Sequence, residues 1–250
     1  MAPAIVEAGH TAYAVDLFGY GESDRPFDAD FGIAAQAEYL DRALTSLRIA
    51  SATVVGLDVG ALVALRLAAA RPERVGRIVL VNPPPLDDLP GDDVRTVQRG
   101  TARFAFRVSR GVMGAAPLLT PLLEGGVSDA GRMPPRLVAR YLAPYVGHDG
   151  VNHLLALARA LRTDDVEEIT LEAVTLPALV VRSANDQWVD DRAAERLASS
   201  LPGAHLERIE RVGRLVPEEA PEELASLILA FADRADVPAS AAGRAEQARR

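Results

Sequence analysis

An open, mostly parallel α/β sheet with helices on both faces is the fold this sequence predicts, and three observations carry the prediction. Apolar runs at residues 11–15, 52–55, 78–81 and 178–181 are short, partly β-branched and bounded by Gly, Pro, Asn or Asp, the pattern of strands buried on both faces. Stripes of apolar residues at helical spacing alternate with those runs, which argues for right-handed strand–helix–strand units. Lastly, Gly56-Leu57-Asp58-Val59-Gly60 places an acidic residue where an apolar run ends and an alanine-rich helical stretch begins.

Each element follows in order. Residues 11–15 read as the first strand. Ile33, Ala37, Leu40, Leu44 and Leu47 recur at spacings of four and three, the stripe of an amphipathic helix. Residues 52–55 and 78–81 are the next two strands. Pro83-Pro84-Pro85 then breaks the alternation, which resumes after Leu176-Pro177. The intervening residues 86–175 read as a mostly helical cap, interrupted by Gly, Pro and Asp clusters. Residues 178–181 form a fourth strand, residues 206–212 a more polar, edge-like fifth, and Leu224, Leu227, Ile228 and Phe231 mark a closing helix. Core packing explains all of these stripes. The division is therefore a core from 1–85 and 176–234, a cap at 86–175, and an Ala- and Arg-rich disordered tail at 235–250.

Composition narrows the chemistry. With 250 residues, 49% of them hydrophobic, the chain buries a sizeable core. Net charge is −8 and all 27 basic residues are Arg, which gives nucleic-acid binding little support. Without Lys there is no Schiff-base chemistry and no Walker-type phosphate loop, and without Cys there is no thiol nucleophile and no thiolate zinc site. Gly19-Tyr20-Gly21 lacks the third glycine and the helix start of a dinucleotide fingerprint. No metal and no cofactor is called for. No apolar run approaches the ~20 residues that span a bilayer, so the reading is a soluble, cytoplasmic protein with a small-molecule partner. Oligomeric state is silent.

The elbow carries the functional argument. Glycines two before and two after Asp58 allow a tight turn that pushes the central side chain outward from strained geometry, and a carboxylate there suggests a nucleophile. Four segments together resemble the α/β-hydrolase superfamily, in the aspartate-nucleophile branch that holds epoxide hydrolases and haloalkane dehalogenases. They are Asp16-Leu17-Phe18-Gly19-Tyr20-Gly21-Glu22-Ser23-Asp24-Arg25-Pro26, the elbow, Arg71-Pro72-Glu73-Arg74-Val75 leading into the strand that ends at Asn82-Pro83, and Asn185-Asp186 with the later Val212-Gly213-Arg214-Leu215-Val216-Pro217-Glu218-Glu219-Ala220-Pro221-Glu222. The likeness covers nearly everything outside the cap.

That resemblance implies an α/β-hydrolase fold in which Asp58 falls on the nucleophile, Asp186 on the acid that orients the base, and the Val59 amide on one oxyanion donor. It also implies three departures. The position of the family's catalytic His holds Arg214, whose guanidinium, with a pKa above ~12, cannot take a proton from water. The family's first three strands and its His-Gly oxyanion loop have no counterpart. The family's third strand lies between its fourth and fifth, so either the surviving strands close up or the frame is truncated, and a truncated frame is the expectation. Dehalogenases of this branch often follow the nucleophile with a halide-binding Trp, where this chain has Val59.

Secondary candidates keep two readings each. Tyr141 and Tyr145 lie four apart, on one face if helical; they either polarise an epoxide oxygen, as cap tyrosines do in epoxide hydrolases, or pack between cap and core. Trp188 either lines the pocket or packs. His148 and His153 lean over Asp58 in place of the lost base or, as expected, do not; His10 and His205 are surface or packing residues. Arg214 neutralises Asp58 and Asp186, or clamps an anionic ligand. Two functions remain: a hydrolase of the epoxide hydrolase or dehalogenase type acting on a small apolar substrate, intact or degenerate in this copy, and a pseudo-hydrolase that binds or scaffolds without turnover.

Overall fold

The computed structural model describes residues 1–87, 89–91, 94–95 and 116–234. Its sheet has four parallel strands in sequential order: β1 (Ala52–Leu57), β2 (Val75–Val81), β3 (Ala178–Ser183) and β4 (His205–Ile209). Val54 pairs with Ile78, Ile78 with Ala178 and Leu179 with His205. Every residue of β3 is buried, as its continuous apolar run requires of a strand covered on both faces.

The two-residue period of the strands sorts their side chains into two cores. Ile78, Leu80, Ala178 and Val180 face α2 (Ile33–Ser46), α3 (Val59–Ala70) and the helix Asp191–Ser200. Val79, Val81, Leu179 and Val181 face the helix Pro221–Ala232, and α1 (Ala2–Glu7) adds Ile5 on that side. Seven of the twelve residues of α3 are buried, from Ala61 to Ala68. Its alanines bring it close to the sheet directly behind the elbow.

Residues 11–15 form no strand. They carry no ladder bonds in the four-stranded sheet, and Tyr13 and Val15 are half-exposed. Apolar, β-branched composition supplies strand propensity, but the ladder supplies the strand, and these residues do not close up against β1. Leu47 also leaves its expected stripe: α2 ends at Ser46 and Leu47 is 48% exposed. The buried face is Ile33, Gln36, Ala37 and Leu44. Gln36 is tolerated there because its amide accepts from the Phe18 N–H at 3.0 Å and donates to the Phe18 carbonyl at 2.6 Å. β4 stops at Ile209, three residues short of the expected end, because Arg211 takes a φ of 59° and turns the chain towards the site.

Between β2 and β3 the described residues form helices Ala116–Gly125, Pro135–Leu142, Gly147–Ala160 and Asp164–Glu167 with short 3₁₀ turns between them. Residues 88, 92–93 and 96–115 of the expected cap, and the whole expected tail at 235–250, lie outside the described residues. Among the described residues no helix is long and apolar enough to cross a membrane.

Candidate active site

The elbow is formed as the glycines predict, although only one of them is sterically required. Asp58 has φ 54° and ψ −123°, a region that costs about 1–3 kcal/mol for a non-glycine residue. Its N–H donates to the Val81 carbonyl at 3.0 Å, so the strained residue is fastened to β2. A Cβ on Gly56 would lie 2.1 Å from the Gly60 carbonyl oxygen, whereas one on Gly60 would meet nothing within 4 Å. Val59 is the first residue of α3, where the backbone N–H has no intrahelical acceptor and points with the positive end of the helix.

Arg214 sits between the two acids. Its Nη2 lies 2.6 Å from Asp58 Oδ1, its Nε donates to Asp58 Oδ2 at 3.2 Å, and its Nη1 donates to Asp186 Oδ2 at 3.3 Å. The guanidinium therefore engages both oxygens of the Asp58 carboxylate in the bidentate geometry that makes Arg–carboxylate pairs strong. Its carbon lies 5.2 Å from the centre of the Trp188 ring, within cation–π range. The Asp58 side chain remains 38% exposed while that of Arg214 is 10% exposed.

Asp186 is held from a second side. Arg182 Nη1 lies 3.0 Å from Asp186 Oδ2, and the Trp188 N–H donates to Oδ1 at 2.9 Å. Arg182 also donates to the Asp186 carbonyl at 3.1 Å, to the Val189 carbonyl, to Asn82 Oδ1 at 3.4 Å and to Asp191 Oδ1 at 3.0 Å. Asn82, with a φ of 43°, stands at the end of β2; its Nδ2 donates to Ser183 Oγ at 2.8 Å and to the Arg214 carbonyl at 3.0 Å. Asn82, Arg182 and Ser183 are all buried. They form a satisfied polar network beneath the two acids.

The tyrosines separate. The helix carrying Tyr141 ends at Leu142, and a separate 3₁₀ turn, Ala143–Tyr145, follows it, so Tyr141 and Tyr145 do not share a helix face. Tyr141 donates to Glu218 at 2.7 Å, and burial first, then that carboxylate, raises its pKa. Tyr145 stacks on His153 at 6.2 Å and packs with Tyr20, Phe18 and Phe31. Burial raises the pKa of Tyr145 against the opposing charge of Arg25. The pKa of the Tyr20 phenol is raised by burial first, then by Tyr145 and Asp58. His153 is buried with Nε2 against the Gly19 carbonyl and its ring edge-on to Phe31. His10 pairs with Asp233 at 3.2 Å, and His205 is exposed at the start of β4. The His148 side chain lies outside the described residues.

Sequence reading missed Tyr20, Arg182 and Asn82. Tyr20 stands in the segment 16–26 and in the discarded glycine motif, and neither gives it a role of its own. Arg182 had a usable signal: a charged residue directly after four apolar strand residues must find buried partners. Among the described residues no group of three or more His, Cys, Asp or Glu is placed to hold a metal.

Comparison with known proteins agrees with this architecture. The family model for the alpha/beta hydrolase fold matches residues 1–221. An esterase of Mycobacterium tuberculosis is 28% identical over 245 residues, covering 92% of this chain and 76% of that protein. A haloalkane dehalogenase of Mycobacterium marinum is 30% identical over 146 residues, covering 58% of this chain and 46% of that protein. Among solved structures, an alpha/beta hydrolase fold protein from Burkholderia ambifaria superposes with a TM-score of 0.71 at 26% identity, over 86% of this chain and 78% of that one. With the family model matched over 221 of its 250 residues and a parallel sheet covered by helices on both faces, this chain belongs to the α/β hydrolase fold family.

Proposed function

We propose that this chain is an aspartate-type α/β-hydrolase-fold protein that admits a small, largely apolar substrate beneath residues 86–175, acting as its cap, and does not complete hydrolysis. The observation that carries the reading is the bonding of Arg214, which the sequence resemblance sets at the position of the base, to both oxygens of Asp58. Nucleophilic attack needs an Asp58 oxygen to displace a leaving group from carbon, forming a C–O bond as the leaving group departs with its electron pair. The guanidinium holds those lone pairs, which slows the step. Once an ester forms, water must lose a proton as it attacks, and a guanidinium cannot receive it. The ester persists.

A second reading, a working hydrolase of the epoxide hydrolase or dehalogenase type, draws on the surroundings of Asp58. Its side chain is 38% exposed on a strained elbow, and Asp58 is among the groups that raise the pKa of the Tyr20 phenol, after burial and Tyr145. A neutral phenol is a hydrogen-bond donor for an oxygen that gains charge as an epoxide opens.

Incubation with 1-bromohexane and with 1,2-epoxyhexane, followed by intact mass and by bromide and diol release, separates the two. The expected result is a slow adduct that stops at one equivalent and is absent from Asp58→Ala. Release well beyond one equivalent, abolished by Asp58→Ala, would establish the hydrolase instead.

A further inference from the structure

We propose that Glu219 is the positioning residue that seats Arg214 between Asp58 and Asp186, by fastening the Gly213–Arg214 turn to the loop after helix Ala116–Gly125. Three backbone N–H groups from two separate segments converge on its carboxylate. Oε1 accepts from Ser128 at 2.7 Å and from Asp129 at 3.0 Å, and Oε2 accepts from Gly213 at 2.5 Å. Gly213 immediately precedes Arg214, so a bond to its N–H fixes where the guanidinium starts.

The junction is built for close approach. A Cβ on Gly213 would lie 2.7 Å from the Gly126 carbonyl oxygen and 2.9 Å from Glu219 Oε2. The Leu215 N–H donates to the same Gly126 carbonyl at 3.0 Å. Ser128 Oγ accepts from Asn185 Nδ2 at 3.2 Å, beside Asp186. One loop of the segment between β2 and β3 is thus bonded to two of the three turns that carry the charged site, those of Asp186 and Arg214. Glu219 closes the contact with a full negative charge on three donors, and charge-assisted bonds of this kind are about twice as strong as neutral ones. From the opposite side, Asn82 bonds the Arg214 carbonyl at 3.0 Å. Arg214 is gripped on both flanks, and its chain neighbours are tied to the inserted segment through Glu219 at Gly213 and through the Gly126 carbonyl at Leu215. Displacing that segment would therefore carry Arg214 away from Asp58.

Trp188 makes the idea measurable, because it is the single Trp of the chain and the Arg214 guanidinium lies over it. Its emission and acrylamide quenching are to be read in wild type, Arg214→Ala, Glu219→Ala, Glu219→Gln and the double Arg214→Ala/Glu219→Ala, with circular dichroism reporting the folded state. Arg214→Ala is expected to shift the emission. Glu219→Ala should shift it in the same direction by part of that amount, and Glu219→Gln, which keeps one acceptor oxygen, should fall between Glu219→Ala and wild type. The double variant should match Arg214→Ala, since a residue that acts through Arg214 has nothing left to act on. An unchanged Glu219→Ala spectrum, or a Glu219 effect that persists in full without Arg214, overturns the proposal. Emission insensitive to Arg214→Ala overturns it too, by removing the stack on which it stands. The adduct assay supplies a second readout: Glu219→Ala should alkylate severalfold faster than wild type. Loss of adducts from every variant would count against Asp58 as nucleophile, while the fluorescence of the Glu219 variants would still decide the role of Glu219.

Discussion

Arg182 shows how one residue can decide whether a charged site is stable. It is 2% exposed and supports Asp186, whose side chain is wholly buried, while also bonding Asn82, Val189 and Asp191. The ion pairs continue outward, from Asp191 to Arg208 and from Arg208 to Glu195, and the Arg208 bond is the largest cause that lowers the Asp191 pKa. Those outer pairs are exposed and contribute little. The inner pair is different, because removing one partner strands the other without water. Arg182→Met is therefore expected to cost about 3–5 kcal/mol in urea unfolding. Asp186→Asn added to it should recover part of that loss, since the stranded charge is then gone. A double variant no more stable than Arg182→Met would mean that Arg214 alone satisfies Asp186. At this scale the sequence was half legible. Asp58, Asp186 and Arg214 stood at motif positions, whereas Arg182 and Asn82 act through contacts between strands about 100 residues apart, which no local pattern displays.

The elbow is the element where local sequence and local structure agree most closely, and where two similar glycines part ways. Strand, turn and helix were each legible because an apolar run, a glycine and an alanine-rich stretch dictate them within a dozen residues. What the pattern could not distinguish was a glycine needed for space from one that is merely compatible. Gly56→Ala would set a methyl 2.1 Å from the Gly60 carbonyl, a clash that relieves itself only by moving α3 off β1. A loss of several kcal/mol, or failure to fold, is expected. Gly60→Ala meets open space inside a helix, so it should be neutral or stabilising by up to about 1 kcal/mol. Thermal melts of the two variants should bracket wild type; equal losses would show that the elbow does not rest on the Gly56–Gly60 contact. The segment from 86 to 175 was less legible for a related reason. Its described residues from 116 onward are largely helical, but Tyr141 and Tyr145 fall on different elements because a new turn starts at Ala143, and the direction of each ring is set by packing against distant residues.

For the whole molecule, the sheet's strength is graded across its strands. β2 and β3 are paired on both sides and largely buried, whereas among the described residues β1 pairs only with β2, and its Thr53 and Val55 are exposed. Residues 11–15 read as a strand by composition, and the structure gives them no ladder. This is the clearest case in which propensity was legible and pairing was not, since pairing depends on what stands alongside. Hydrogen exchange read by mass spectrometry tests the gradient. Amides of β2 and β3 should be the slowest, because they open only with the whole fold, and amides of residues 11–15 should exchange at nearly unprotected rates. β1 should fall between them, its protection carried by the bonds to β2. Protection of residues 11–15 comparable to β2 would mean that they pair after all, and the four-stranded description of the sheet would have to be replaced by one with a further strand beside β1.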